Sequence, residues 1–177
     1  IITEDNHFQK NSIRYKRNIK LILLIELIPL IIAFIWIKFT NFGLDTNAYS
    51  WFVDTPIIIG LLLFVIPGLF ILGEWKNFWK AFSVGQKEYT LKELKNILEA
   101  VNFCQKLVLL SGLFEMIIQF IAAMAYSYGD DTALIGPSLA IMILPAFYVI
   151  IVEYFLLSLS VNTQKAINEE MELYEEE

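Results

Sequence analysis

The sequence predicts an all-α integral membrane protein with four transmembrane helices. First, 57% of the 177 residues are hydrophobic and the mean hydropathy is +0.59, which is more apolar than one soluble domain of this length can bury. Second, four apolar runs are each long enough to cross most or all of a hydrocarbon core about 30 Å thick. Third, the basic residues cluster at the ends of these runs.

The four predicted spans belong to a single membrane domain. Thr90 can cap a helix and Glu93 can reach back to it in a capping box, and an apolar spacing without Gly or Pro runs from Leu91 to Val101. We therefore expect the third helix to begin near Thr90 and to extend into the cytoplasm. The fourth helix is expected to continue past Ser160. The predicted segments are a cytoplasmic N-terminal segment at 1–20, spans at 21–39, 56–73, 104–126 and 134–160, a cytoplasmic loop and helix at 74–103, and an acidic cytoplasmic tail at 161–177.

The distribution of basic residues predicts the orientation. Of thirteen Lys and Arg residues, five precede the first span, six lie between Lys76 and Lys106, and Lys165 follows the fourth span. Lys38 alone falls on the other side. Because cytoplasmic loops carry the excess of positive charge, both termini are expected in the cytoplasm, an N-in/C-in topology.

Composition and motifs exclude several classes of function. The net charge is −6 and no basic groove is visible, so nucleic acid is not an expected partner. The single cysteine, Cys104, excludes an intramolecular disulfide. The sequence has no Ser/His/Asp set, metal-spaced His/Cys cluster or phosphate loop, and His7 is expected to be a solvated surface residue. We therefore expect neither an enzyme nor a cofactor or metal.

A polar stripe on the third span is the strongest candidate site. Ser111, Glu115 and Gln119 recur every four residues and so share one helix face. Glu115 lies eleven positions after Cys104, or about 16 Å along the helix and near the bilayer midplane. A carboxyl group at that depth must face protein, water or a partner. The alternative is a structural, protonated acid that hydrogen-bonds Gln119 or a neighbouring subunit.

Two further acids are weaker candidates. Glu26 and Glu153 lie within about two turns of the cytoplasmic ends of their spans, about 10 Å deep or less. Pairing with Lys20, Arg17 or water would explain them without a functional role. Pro145 lies on the side of the fourth helix that carries Ser138 and Glu153, and that side is a candidate partner-facing surface.

Small and helix-distorting residues predict assembly. Pro56, Gly60 and Pro67 share a face of the second span, which permits close helix approach. Because no residue of the chain obviously neutralises Glu115, a single copy is expected to be incomplete in lipid. We expect a homo-oligomer.

Long segments of the sequence resemble one family. The segment SWFVDTPIIIGLLLFVIPGLFILGEWKNFWKAF is similar to the second-helix region of MotA. The segments KLVLLSGLFEMIIQFIAAM and GDDTALIGPSLAIMILPAFYVIIVEYFLLSLS resemble the third and fourth helices of the MotA/TolQ/ExbB proton-channel family, and the IGPSLAI…FY run is the most specific part. The chain resembles a short, divergent member without the large cytoplasmic domain.

The resemblance implies a site and a function. Met116 stands where the family has a pore threonine, Pro145 and Ala146 stand where the fourth helix has paired threonines, and Tyr148 matches the family tyrosine. Family members form a pentamer in the bacterial inner membrane around a single-span partner, often a dimer, and couple proton flow to rotation. In this chain Glu115 and Gln119 would replace the threonine surface.

A second class of function stays open. A non-conducting membrane scaffold of the same architecture would use Glu115 to anchor a basic or hydroxylated residue of a partner helix. A single-span partner with an intramembrane Asp would favour the channel, and one with Lys or Arg would favour the scaffold.

Overall fold

The computed structural model describes residues 17–39, 53–127 and 135–175. Within these ranges the regular structure is helical, apart from an isolated bridge between Val84 and Lys87. The helices are α1 (Ile19–Phe39), α2 (Thr55–Ile71), α3 (Trp75–Lys80), α4 (Leu91–Ser127) and α5 (Ile135–Glu175), and a 3₁₀ turn (Ala81–Ser83) follows α3. Most of the two predicted outer loops, 40–55 and 127–133, lies outside the described residues.

The helices are compatible with a membrane protein. By length and composition, α1, α4 and α5 can each cross a membrane. Helix α2 is a fourth candidate if it is counted together with residues Trp75–Ser83, which follow it after a bend. Helices α4 and α5 have 37 and 41 residues, which is about 55 Å and 61 Å at 1.5 Å per residue. Both exceed a hydrocarbon core of about 30 Å, so the prediction that they are extended helices is confirmed.

Local signals determine where α2 begins and ends. The Asp54 side chain caps the N-terminus, because its Oδ1 accepts a hydrogen bond from the Ile57 N–H at 3.2 Å. Past the last turn, Gly73 adopts a φ of +74°, and the Glu74 N–H returns to the Leu69 carbonyl at 2.9 Å. The chain then turns so sharply that residues Trp75–Ser83 lie at 105° to α2.

The start of α4 matches the sequence signal. Thr90 and Glu93 form the predicted capping box: the Thr90 N–H donates to Glu93 Oε2 at 3.2 Å, and the Glu93 N–H donates to Thr90 Oγ1 at 3.3 Å. Lys80, at the end of α3, pairs with Glu93 at 3.4 Å. The short helix is thereby tied to the base of α4.

The long helices pack side by side in the order α2, α4, α5, α1. Gly60 of α2 meets Glu115, and Gly68 meets Leu107, so α2 and α4 are antiparallel. Gly112 of α4 accommodates Val149 of α5. Helix α5 in turn packs on α1, where Phe34 and Phe147 make an edge-to-face contact with ring centroids 6.2 Å apart. The resulting bundle is built from antiparallel neighbours.

Within the single chain, one of the three positions of the predicted small face of α2 packs against a neighbouring helix. Gly60 is a close-packing position, but the side chains of Pro56 and Pro67 are exposed. The second small contact is made by Gly68, one residue beyond Pro67. Prolines need not face a neighbour to be tolerated, since Pro56 stands in the first turn, where its missing N–H has no intrahelical acceptor.

The ends of the described chain meet at one end of the bundle. Arg17 forms a salt bridge with Glu169 near the end of α5. The Arg17 carbonyl oxygen also approaches Gly85, where an added Cβ would lie 2.8 Å away. Asn162 of α5 donates a hydrogen bond to the Val84 carbonyl at 3.2 Å. These contacts join α1, α5 and the segment between α3 and α4.

Candidate functional site

Glu115 is the best-enclosed acid in the described part of the bundle. It is 9% exposed, and its carboxyl group lies against the backbone of Gly60 on α2. No described residue hydrogen-bonds or ion-pairs with this carboxyl group. A buried carboxyl group without a partner is costly in any protein interior when it is ionised. The Glu115 side chain therefore either serves a function or is protonated.

Gly60 makes room for the Glu115 carboxyl. A Cβ built on Gly60 would overlap Glu115 Oε1, so any other residue would force the side chain to move. Gly60 is five positions into the 17-residue helix α2, about 5 Å from its centre. The contact with Glu115 therefore lies near the middle of α2, on the side of Asp54.

A second polar contact lies beside Glu115. The Asp54 N–H donates a hydrogen bond to the Tyr148 hydroxyl at 2.6 Å, which ties the start of α2 to α5. Helix α2 therefore meets α5 at Asp54 and Tyr148, and it meets α4 six residues later at Gly60 and Glu115.

The rest of the predicted stripe on α4 faces inward to different degrees. Ser111 is fully buried, but its hydroxyl donates to the Val108 carbonyl of the same helix at 2.9 Å. Gln119 and Met116 are half-buried. The predicted alternative, a hydrogen bond between Glu115 and Gln119, is absent among the described contacts. Of this stripe, Glu115 alone combines burial with an unpaired polar group.

On α5, the predicted partner-facing side packs within the chain instead. Pro145 is less than 2% exposed, and Ala146 is half-buried. The close approach of α4 and α5 at Gly112 and Val149 covers this side. The side chain of Ser138 lies outside the described residues. The expectation that Pro145 marks an outward surface is therefore wrong for the single chain.

Glu26 and Glu153 carry the other unpaired acid oxygens. Glu26 Oε1 accepts a hydrogen bond from the Ser158 hydroxyl, while Glu26 Oε2 and Glu153 Oε1 are buried and have no hydrogen-bond partner. Gln105 lies within reach of the Glu153 carboxyl.

The predicted pairing of Glu26 and Glu153 with basic residues is not observed among the described residues. Arg17 bonds Glu169 instead. Ser158 on the neighbouring helix, rather than a basic residue, is the observed partner of Glu26.

Sequence reasoning missed Asp54 as a site residue. The signal was present, because Asp-Thr-Pro is a helix start with an acidic N-cap and Pro in the first turn. This motif places a carboxyl group at the N-terminus of α2. The sequence does not show, however, that α2 packs against the face of α4 that carries Glu115.

The arrangement can bind and release protons. It has carboxyl groups and one phenol hydroxyl but no described cluster of three or more metal-ligating side chains. Fold and site together define a helical protein with membrane-type apolar helices and an acidic interior. Comparisons with protein-family models, with curated proteins and with solved structures find no match.

Proposed function

We propose that this protein is a proton-conducting, ring-forming subunit of a membrane motor or channel, with Glu115 as its intramembrane proton carrier. The observation that carries the proposal is the largely buried Glu115 carboxyl group, which lies between α4 and Gly60 of α2 without a described cation or hydrogen-bond donor. An ionised carboxylate at the bilayer centre costs about 2.5 to 3.5 kcal/mol on insertion scales. Glu115 is therefore most stable as the neutral acid, and it releases its proton when water reaches it.

The packing around Glu115 favours a proton over a larger ion. Gly60 leaves no space for even a methyl group beside the carboxyl. Calcium would need several oxygen ligands, and the described residues hold no group of three or more His, Cys, Asp or Glu side chains that could bind a metal ion. A proton needs neither a cavity nor a coordination shell.

Assembly is the second part of the proposal. The outward surfaces of α4 and α5 expose large apolar side chains such as Leu113, Ile117 and Ile150, which suit lipid, a second copy or a partner helix. From the resemblance to the MotA/TolQ/ExbB family, we propose four spans, both termini in the cytoplasm, a pentamer in the bacterial inner membrane, and at its centre a single-span partner that is a dimer, as in that family. Native mass spectrometry in mild detergent tests the oligomer, and a protein that remains monomeric would contradict it.

The scaffold alternative receives less support from the geometry. In that alternative Glu115 would hold a basic or hydroxylated residue of a partner helix. The carboxyl instead faces Gly60 of its own chain, so a partner would have to displace α2 to reach it. The carrier role requires no such rearrangement.

The test compares three variants in reconstituted vesicles with a pH-sensitive dye inside. Glu115→Gln keeps size and hydrogen bonding but cannot carry a proton, so we expect proton flux to be abolished while oligomer size and partner co-purification are retained. Glu115→Leu is expected to lose flux as well and to insert at least as readily. Glu99→Gln is the matched control, because Glu99 is an exposed acid on the same helix, and its flux should equal that of the wild type.

Two outcomes would reject the carrier role. Unchanged flux in both Glu115 variants would leave the acid with a structural role. Retained flux with partner loss in Glu115→Leu would favour the scaffold function.

A further inference from the structure

We propose that Asp54 is the outer acid of the pathway, which takes a proton from the solvent and passes it through water to Glu115, and that Tyr148 holds Asp54 in position. This inference rests on the proposed function and extends it by naming the route by which protons reach the buried carboxyl. The hydrogen bond between Asp54 and Tyr148 of α5 and the register of α2 against α4 carry it.

The register of α2 and α4 places the two acids on one path. Gly60 faces Glu115 and Gly68 faces Leu107, so each step along α2 matches one step back along α4. Asp54 is six residues before Gly60, or about 9 Å along the axis. Side chains of two acids shorten that gap to one that a single water or a short chain of water molecules bridges.

Along the helix axis, Gln119 lies between the positions of Asp54 and Glu115. It is four residues beyond Glu115 on the same face of α4 and is half-buried. In the antiparallel register its position corresponds to Pro56, between Gly60 and Asp54. Its amide both donates and accepts hydrogen bonds, so it suits a water molecule that travels between the carboxyl groups.

Asp54 is held in place without using its whole carboxyl group. Oδ1 accepts the helix-capping bond from the Ile57 N–H, and the Asp54 backbone N–H donates to the Tyr148 hydroxyl. Oδ2 has no hydrogen bond within the described residues and remains available for a proton. The side chain is only half-buried, whereas Glu115 is enclosed, so Asp54 meets water first.

The charged and titratable groups around this path are few. From α2 the path meets Asp54, from α4 it meets Glu115, and from α5 it meets the Tyr148 phenol. No described Lys or Arg pairs with either carboxyl. With no described cation paired to either acid, a negative charge on one disfavours ionisation of the other.

The transfer conserves protons at each step. Hydronium in the outer solvent protonates the Asp54 carboxylate and becomes water. Neutral Asp54 then gives its proton to a bridging water, which gives another to the Glu115 carboxylate. Asp54 returns to its ionised form, and Glu115 is neutral and ready to release its proton towards the other side.

The decisive variant is Asp54→Asn, because Asn caps helices as well as Asp does but carries no proton. Uptake is measured in right-side-out vesicles over a range of external pH. In the wild type we expect the rate of uptake to level off on acidification, because the Asp54 carboxylate becomes fully protonated. In Asp54→Asn we expect the rate of proton uptake near neutral pH to fall by about 10²-fold, which is the usual contribution of a positioned proton-transfer group. We also expect this rate to rise in proportion to the external hydronium concentration.

Tyr148→Phe separates positioning from proton supply. It removes the hydroxyl that binds the Asp54 N–H, so we expect slower uptake with the pH profile of the wild type. A profile like that of Asp54→Asn would instead make Tyr148 the proton donor and would overturn the role of Asp54. Asp54→Glu, which restores a carboxyl group, is expected to recover part of the uptake.

Two results distinguish failure of this inference from failure of the proposed function. Wild-type uptake and pH profile in Asp54→Asn, with no flux in Glu115→Gln, would reject Asp54 and leave the carrier role intact. Unchanged flux in Glu115→Gln would reject the carrier itself. Infrared difference spectroscopy adds a readout independent of flux: Asp54→Asn should shift the Glu115 carboxyl band, and an unshifted band would show that the two acids do not interact.

Discussion

The carboxyl group of Glu115 packs directly on the backbone of Gly60, so the smallest residue of α2 faces the most enclosed acid of α4. The first prediction follows from this contact. In Gly60→Ala the new methyl group moves the carboxyl aside, and we expect a clear loss of proton flux with little change in thermal stability. The displaced atoms are the end of a flexible side chain, and Ala favours the helix by roughly 0.5 to 1 kcal/mol over Gly.

Gly68→Ala is the matched control for this prediction. Its methyl group would meet Leu107 Cδ1 at 2.7 Å, which is again the end of a flexible side chain on α4. We expect similar stability but flux at the wild-type level. Equal flux loss in the two alanine variants would mean that helix spacing, rather than the position of Glu115, controls transport.

The second prediction concerns Glu26. Ser158→Ala removes the hydroxyl that donates to Glu26 and leaves that carboxyl without a described partner. Hydrogen bonds between membrane helices are worth about 0.6 kcal/mol on average and up to about 1.7 kcal/mol. We expect Ser158→Ala to lie at the upper end of this range, because it exposes an acid to an apolar interior.

Ser160→Ala provides the comparison for Ser158→Ala. The Ser160 hydroxyl bonds Asn102 at 3.2 Å at an exposed position, so its loss should change stability by much less. Thermal unfolding in the same detergent measures both. A larger effect at Ser160 would show that the Glu26 contact does not stabilise the bundle.

The third prediction is topological. Lys87 is exposed near the end of the bundle where Arg17 and Glu169 meet, and the basic residues around it predict a cytoplasmic location. Lys87→Cys should react with a membrane-impermeant maleimide only after cells are opened, whereas Asp130→Cys should react in intact cells. The native Cys104 is 3% exposed and can remain as the unreactive background. Labelling of position 87 from outside would reverse the proposed orientation.

The fourth prediction places α3 at the membrane surface. If α2 spans the bilayer, the 105° turn directs α3 along its plane, and Trp79 is 52% exposed there. Indole rings prefer the headgroup level. In a variant with Trp79 as its single tryptophan, bromine atoms placed on lipid chains near the headgroups should quench the fluorescence strongly. Quenching by aqueous iodide but not by these lipids would place Trp79 in the cytoplasm.

Much of the fold could be predicted from the sequence because it depends on local patterns. The apolar run of the first span predicted α1 to within two residues at its start, and the Thr90–Glu93 box predicted the start of α4 to within one residue. Gly-free and Pro-free spacing also predicted that α4 is one long helix. Such signals need no knowledge of neighbouring helices.

The candidate site was predictable only in part, because its partners come from distant parts of the chain. The sequence placed Glu115 on a polar stripe of the third span, and the structure encloses this side chain against α2. It did not predict that Gly60 would face Glu115 or that Tyr148 would bond Asp54, since 94 residues separate the last two. Helix periodicity gives the face of each helix, whereas pairing of faces depends on how all helices pack. Pro145 failed as a surface marker for the same reason.

The position of α1 has a consequence for how the protein is made. The first long helix packs mainly on α5, the last one, and the donor for Glu26 is 132 residues further along the chain. A ribosome at about 5 to 20 residues per second needs several seconds or more to reach Ser158 after Glu26 has emerged. If α1 spans the bilayer, its acid lacks this donor throughout that interval. Truncation between α4 and α5 should therefore leave α1 exposed to membrane quality-control proteases, while the full-length chain protects it.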